Sequence, residues 1–224
     1  MQSKIEQGRQ NNTSAIANEI NKLAEVNYGA VSRLLPELLK EGALVLDHSV
    51  YLPQEPWSNP FGAGRYLVYD HDDEQSPFSI WAFAFGAGQK TCIHDHKYQG
   101  AVTVLHGPVA EKYYIPSGEN TAQLVARSNR YSFHSNRDDL TNNFVHQLKR
   151  RKKLDNDSKL DEGISVTLHI YDMPAFAIDL SGSRVDSRNL DRIYERDRSF
   201  GKSNIPYTEE YPDTEKCALK FSRS

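Results

Sequence analysis

Two histidines stand one residue apart in Gly88-Gln89-Lys90-Thr91-Cys92-Ile93-His94-Asp95-His96, ahead of Gly100 and a valine-rich run that closes at Gly107. In an extended chain residues i and i+2 share a face, so His94 and His96 can grip one metal ion while Asp95 points the other way. Neutral imidazoles suit ferrous iron, zinc, copper or nickel, and open positions around the ion separate a catalytic site from a closed structural one. A third ligand must come from further along the chain. The downstream histidines are His106 at the turn before Gly107-Pro108, His134 among the aromatics of Tyr131-Ser132-Phe133, His146 where a strand returns from a turn, and His169 in an apolar run.

The elements that must position these side chains are mostly strands. From Ala43 onward, short alternating or apolar runs are separated by Gly, Pro, Asn and Asp: Leu44 to Leu46, Tyr66 to Tyr69, Phe78 to Phe85, Ala101 to Leu105, Gln123 to Val125 and Ile164 to Tyr171. Many short strands at close spacing predict a sandwich or barrel. Ahead of them, residues 12–41 read as two packed helices, with Ile16, Ile20 and Leu23 at helical spacing, Leu34, Leu35, Leu38 and Leu39 around Pro36, and Gly42 as a stop. The expected organisation is one domain over 1–224: a helical region at 1–42, a barrel at 43–180, and a polar, mixed extension at 181–224 to which the sequence assigns no structure. With 224 residues, 38% of them hydrophobic, one substantial core is within reach.

Charge and composition exclude several classes. A net charge of −3 lacks the basic excess of a nucleic-acid or membrane-surface protein, so small molecules are the expected partners. The basic run Lys149-Arg150-Arg151-Lys152-Lys153 has acidic residues close behind it and reads as a solvated hairpin loop between two barrel strands. Only Cys92 and Cys217 are present, Met1 to Gln7 carries no apolar signal core, and no run reaches membrane-spanning length. A soluble cytoplasmic setting without a disulfide is the expectation, and the sequence sets no oligomeric state.

The spacing from Gly88 through His94 and His96 to Gly107 matches the first metal motif of the cupin barrels, whose Glu place here reads Gly100. Over residues 60–176 the chain resembles the cysteine dioxygenase family of cupin thiol dioxygenases, most like its bacterial members. The resemblance lies in four blocks in the family's order: Arg65-Tyr66-Leu67-Val68, Ile93-His94-Asp95-His96, Val145-His146-Gln147-Leu148, and Val166-Thr167-Leu168-His169-Ile170-Tyr171-Asp172-Met173-Pro174-Ala175-Phe176. It implies an all-β cupin barrel, also called a double-stranded β-helix or jelly roll, behind N-terminal helices. It selects His146 as third ligand, giving Fe(II) held by His94, His96 and His146. It also implies an outer relay in which the family's Ser-His-Tyr becomes Thr167, His169 and Tyr171. These three share one strand parity while Val166, Leu168 and Ile170 take the other; without the family, they could equally be a polar exterior ladder.

Chemistry follows from that resemblance. A neutral three-imidazole set keeps the full charge of the ion for an anionic substrate, and a thiol with a free pKa of about 8.5 binds it as thiolate. The implied activity is oxidation of L-cysteine by O2 to cysteine sulfinate, both oxygen atoms going to sulfur. Arg65 is the expected carboxylate clamp, because a guanidinium makes a planar paired hydrogen bond that Lys does not; in the family an Arg here accompanies cysteine and a Gln accompanies 3-mercaptopropionate. The chain departs from the family in three places. The Cys that crosslinks to the catalytic Tyr in animal enzymes is taken as Ala101, so no thioether is expected; Ala63 replaces a Tyr, and Asp172-Met173-Pro174 replaces Ser-Pro-Pro. Cys92 shares parity with the histidines and reads as cavity-facing or as a small buried hydrophobe. The alternatives are a dioxygenase of 3-mercaptopropionate, cysteamine or a cysteine-derived precursor, and a cupin that binds metal or ligand without turnover. A zinc hydrolase or isomerase is disfavoured, since no general base stands within the motif blocks.

Overall fold

The computed structural model describes residues 3–54, 62–95, 100–130, 145–150, 163–178 and 193–199, without the side chains of 101, 103–105 and 129–130. Helix α1, Lys4–Ile20, starts well before the apolar period does. Its origin is a capping box: the Ser3 hydroxyl accepts from the Glu6 amide at 3.2 Å and the Glu6 carboxylate accepts from the Ser3 amide at 2.8 Å. Helix α2, Tyr28–Lys40, is capped by the Asn27 side chain and carries Pro36 inside it, as the leucine spacing around that proline predicts. Neither is long and apolar enough to cross a membrane.

Leu44-Val45-Leu46 is no strand, although it alternates like one. Leu44 and Leu46 are buried and Val45 is 48% exposed. The Val45 backbone is satisfied by a side chain instead: Asn12, buried on α1, donates to its carbonyl at 2.7 Å and accepts from its amide at 2.9 Å. The period of two reports burial there, but the partner of the backbone is a side chain and not a strand.

Among the described residues nine strands form two sheets. One has the order β1-β2-β8-β4, from Gly64–His71, Phe78–Phe85, Ser165–Tyr171 and Gly100–His106. The other runs β3-β7-β5-β6-β9 and closes on itself, from Ile93–His94, Val145–Arg150, Val109–Pro116, Thr121–Arg130 and Ile193–Arg196. Strands β2 to β5 switch sheet at every step, as do β7 and β8, and neighbours from consecutive switches pair antiparallel. That exchange is the jelly-roll arrangement to which cupins belong, so the expected all-β cupin barrel with N-terminal helices is the fold observed.

Strands β2 and β8 are buried along their whole length because both faces are covered. Ile80, Ala82, Val166, Leu168 and Ile170 pack with Ile16, Ile20, Leu35 and Leu38 of the helices. Trp81, Phe83, Val102 and Tyr171 meet Val109, Tyr113, Val125 and Leu148 of the second sheet. A third cluster, Ile93, Tyr114, Leu124, Val145 and Tyr194, is contributed by the strands of the closed five-strand ring. Two strands escape the sequence pattern: β5, interrupted by Glu111-Lys112, and β9, four residues inside the segment given no structure. Lys149 and Arg150 belong to β7 rather than to a loop; Arg150 is buried and donates from Nη2 to the Gly163 carbonyl at 3.3 Å. Residues 151–153 lie outside the described residues.

Candidate metal centre

The pairing of β3 with β7 sets His94 directly opposite His146. Their rings lie 4.8 Å apart between centroids and are 3% and 2% exposed. Each Nδ1 meets an oxygen that can only accept: the Cys92 carbonyl at 2.9 Å for His94, and the Glu111 carboxylate at 2.7 Å for His146. Both rings can therefore donate from Nδ1, which in the neutral imidazole leaves the Nε2 lone pair for a metal, the tautomer that metal-binding histidines use.

Glu111 is the residue that sequence reasoning missed. It is 0% exposed, and its second oxygen accepts from the Tyr113 hydroxyl at 3.1 Å. A carboxylate behind a metal-facing imidazole fixes the ring and raises its basicity. The signal was parity: Glu111 occupies the same strand face as the apolar Val109 and Tyr113.

His96 and His134 lie outside the described residues, and among those described no three His, Cys, Asp or Glu side chains gather to hold a metal. His94 and His146, buried and opposite one another across β3 and β7, fit two ligands of a divalent transition ion. The other downstream histidines are elsewhere. His106 ends β4 within the field of Asp47 and His48, and burial holds its pKa below the usual value. His169 belongs to the relay. Asp95 turns away, as expected, and accepts from the Tyr194 hydroxyl at 2.9 Å. Cys92 lines a cavity with Lys112 and Gln147, which alternate with Glu111 and His146 and so face the other side of the sheet.

On β8 the Thr167 hydroxyl lies 2.7 Å from His169 Nε2, and the Tyr171 hydroxyl lies 3.2 Å from His169 Nδ1. All three are buried against the inner layer, and Phe83 stacks on the imidazole at 4.3 Å. The polar face of β8 is interior, so the exterior-ladder alternative fails. When Thr167 donates to Nε2, Nδ1–H donates to the phenol oxygen, and the Tyr171 proton is directed outward to a third partner.

Gly100, not Ala101, is the residue beside the tyrosine. Gly100 pairs with Tyr171, and a Cβ there would come within 2.8 Å of Tyr171 Cδ1, whereas Ala101 pairs with Ile170. The glycine at the motif's Glu place is thus what makes room for the ring. Arg65 on β1 pairs with Phe83, which pairs with Thr167, so the guanidinium starts from the inner face at the Thr167 end of the relay. Ala63 and Met173 pack into the same inner core.

No protein-family model matches the chain, and no curated protein matches it. Solved structures similar to it include a cupin-2 domain from Rhodospirillum rubrum, at 15% identity and TM-score 0.37 over 55% of this chain and 69% of that one. A DMSP lyase from Ruegeria pomeroyi DSS-3 matches at 12% identity and TM-score 0.33, over 55% of this chain and 50% of that one. An oxalate decarboxylase from Lactobacillus farciminis matches at 10% identity and TM-score 0.35, over 57% of this chain and 34% of that one. This chain spans half or less of the length of the last two. At such scores these likenesses carry no argument about activity, and the fold assignment rests on strand order.

Proposed function

We propose that this chain is a mononuclear Fe(II) thiol dioxygenase, with L-cysteine as substrate and cysteine sulfinate as product. The observation that carries the reading is the buried Thr167–His169–Tyr171 relay, which faces the same inner layer as the His94–His146 pair. A polar ladder of this kind inside an aromatic core costs stability unless it is fully hydrogen-bonded, and it is retained where its proton has a use. His94 and His146, with His96, would hold the iron, and Glu111 would anchor His146 from behind. When bound, the iron supplies coordination for thiolate and amine and the redox chemistry on dioxygen.

The protein's own groups do the rest. Tyr171 presents its phenol proton to the substrate carboxylate or the reacting oxygen, His169 fixes the direction of that proton, and Thr167 fixes the imidazole tautomer. Arg65 pairs with the carboxylate from the edge strand. Aromatic packing by Trp81, Phe83 and Tyr113 keeps bulk water out, which strengthens each of these contacts.

Oxygen uptake by iron-loaded protein tests the reading, with cysteine, 3-mercaptopropionate and cysteamine compared. Cysteine should be consumed one-to-one with O2, cysteamine poorly. Arg65→Ala should raise KM for cysteine by about one to two decades with iron content intact, the loss of one charge-assisted pair. Uptake with cysteamine equal to that with cysteine would remove the carboxylate from recognition. No thiol-dependent uptake by fully metallated protein would leave a non-catalytic cupin.

A further inference from the structure

Strand β5 presents different chemistry on its two faces. Glu111 and Tyr113 turn toward the histidines; Lys112 and Tyr114 turn into the closed five-strand ring. A cavity of about 370 Å³ opens there, lined by Lys90, Lys112, Arg196 and Arg198 with Tyr114 and Tyr194. No carboxylate is among its described lining residues. Behind the wall, Asp95 accepts from the Tyr194 hydroxyl at 2.9 Å.

Four cations gathered on one cavity of a chain whose net charge is −3 repel one another, and that cost is expected where an anion completes the site. A second observation points the same way. The Nε of Arg196 is buried and makes no hydrogen bond, a donor withdrawn from water without a partner. Lys112 is half-buried, and no described acid forms an ion pair with it. Burial, then the charges of Lys149, Arg196, Lys90 and Arg127, hold its pKa below the usual lysine value. Burial pushes the Tyr114 phenol up to about 12, so near neutral pH it remains a donor.

We propose that this cavity is a binding site for a phosphate-bearing small molecule, with Lys112 and Arg196 as its principal ligands. Phosphate offers a doubly charged group with three acceptor oxygens, which suits converging ammonium and guanidinium donors better than a single carboxylate does. The volume exceeds what one phosphate needs, and the rings of Tyr114 and Tyr194 with the apolar Ile93 offer a wall for an organic body. The site does not depend on the thiol dioxygenase reading, since it occupies the opposite face of β5 and β7.

The test uses the full chain with inorganic phosphate and AMP as probes, against sodium chloride at matched ionic strength, by thermal shift and titration calorimetry. Phosphate or AMP should raise the Tm beyond chloride and bind saturably, and Lys112→Met and Arg196→Met should each weaken binding about tenfold, the loss of one charge-assisted hydrogen bond. In chloride alone Lys112→Met should be at least as stable as the parent, because it relieves crowding among like charges, and this also establishes that the variant folds. Shifts no larger than those of chloride for both probes, or unchanged binding by the double variant, would overturn the site.

Discussion

Glu111 is the carboxylate on which the candidate metal site should depend, because it accepts from His146 Nδ1 at 2.7 Å from behind the ring. Glu111→Gln keeps the shape and removes the charge. Metal affinity should fall about 10- to 100-fold, read by competition titration with Fe(II) or Co(II), while the fold is retained. Gly100 sets a complementary steric condition. Gly100→Ala would push a methyl into the Tyr171 ring, which should destabilise by about 1–3 kcal/mol in denaturant titration and slow thiol turnover far more than it lowers metal affinity. His94 could be read from residue type and spacing as an imidazole on a strand, and it is one, buried in β3; His96 lies outside the described residues. Glu111 could not, because a glutamate beside a lysine reads as solvated surface until its strand is known. The contact between Gly100 and Tyr171 was equally hidden: it depends on register between β4 and β8, and counting along the motif alone lands one residue away, on Ala101.

At the level of elements, the helices and the strands β1, β2, β4 and β8 follow from apolar period, which reports burial faithfully. Period fails where the backbone's partner is unusual, as at Leu44 to Leu46, where Asn12 takes the place of a neighbouring strand. It fails also for β9, too short to show a period at all. Asn12 therefore joins α1 to the segment that leads into the barrel, and it reaches the Tyr51 hydroxyl as well, at 3.3 Å. Asn12→Ala would leave the Val45 amide and carbonyl without their partners in a partly buried place. The expected cost is about 1–3 kcal/mol by denaturant unfolding, well above that of a surface Asn→Ala change.

For the whole molecule, acid sensitivity should have a specific source in His106. Burial depresses its pKa in the folded state, with Asp47 opposing, so the unfolded chain takes up a proton first as pH falls. Its contribution to stability is complete above the unfolded value of about 6.5 and is lost as pH drops from there toward the lower folded value. The Tm difference between parent and His106→Gln should consequently move in the variant's favour between pH 7.5 and 5.5. Order of synthesis is a further property of the whole chain. Strand β3 has two residues and two partners, His146 on one side and the Ile193–Tyr194 pair on the other. Until β9 leaves the ribosome, the strand carrying His94 has only one edge supported. At roughly 5–20 residues per second, the segment from His94 to Ile193 takes on the order of ten seconds to make. The jelly-roll face around β2 and β8 can be assembled during that interval, so the histidine pair is organised late in the life of the nascent chain, and any metal bound there would arrive after most of the protein has already folded.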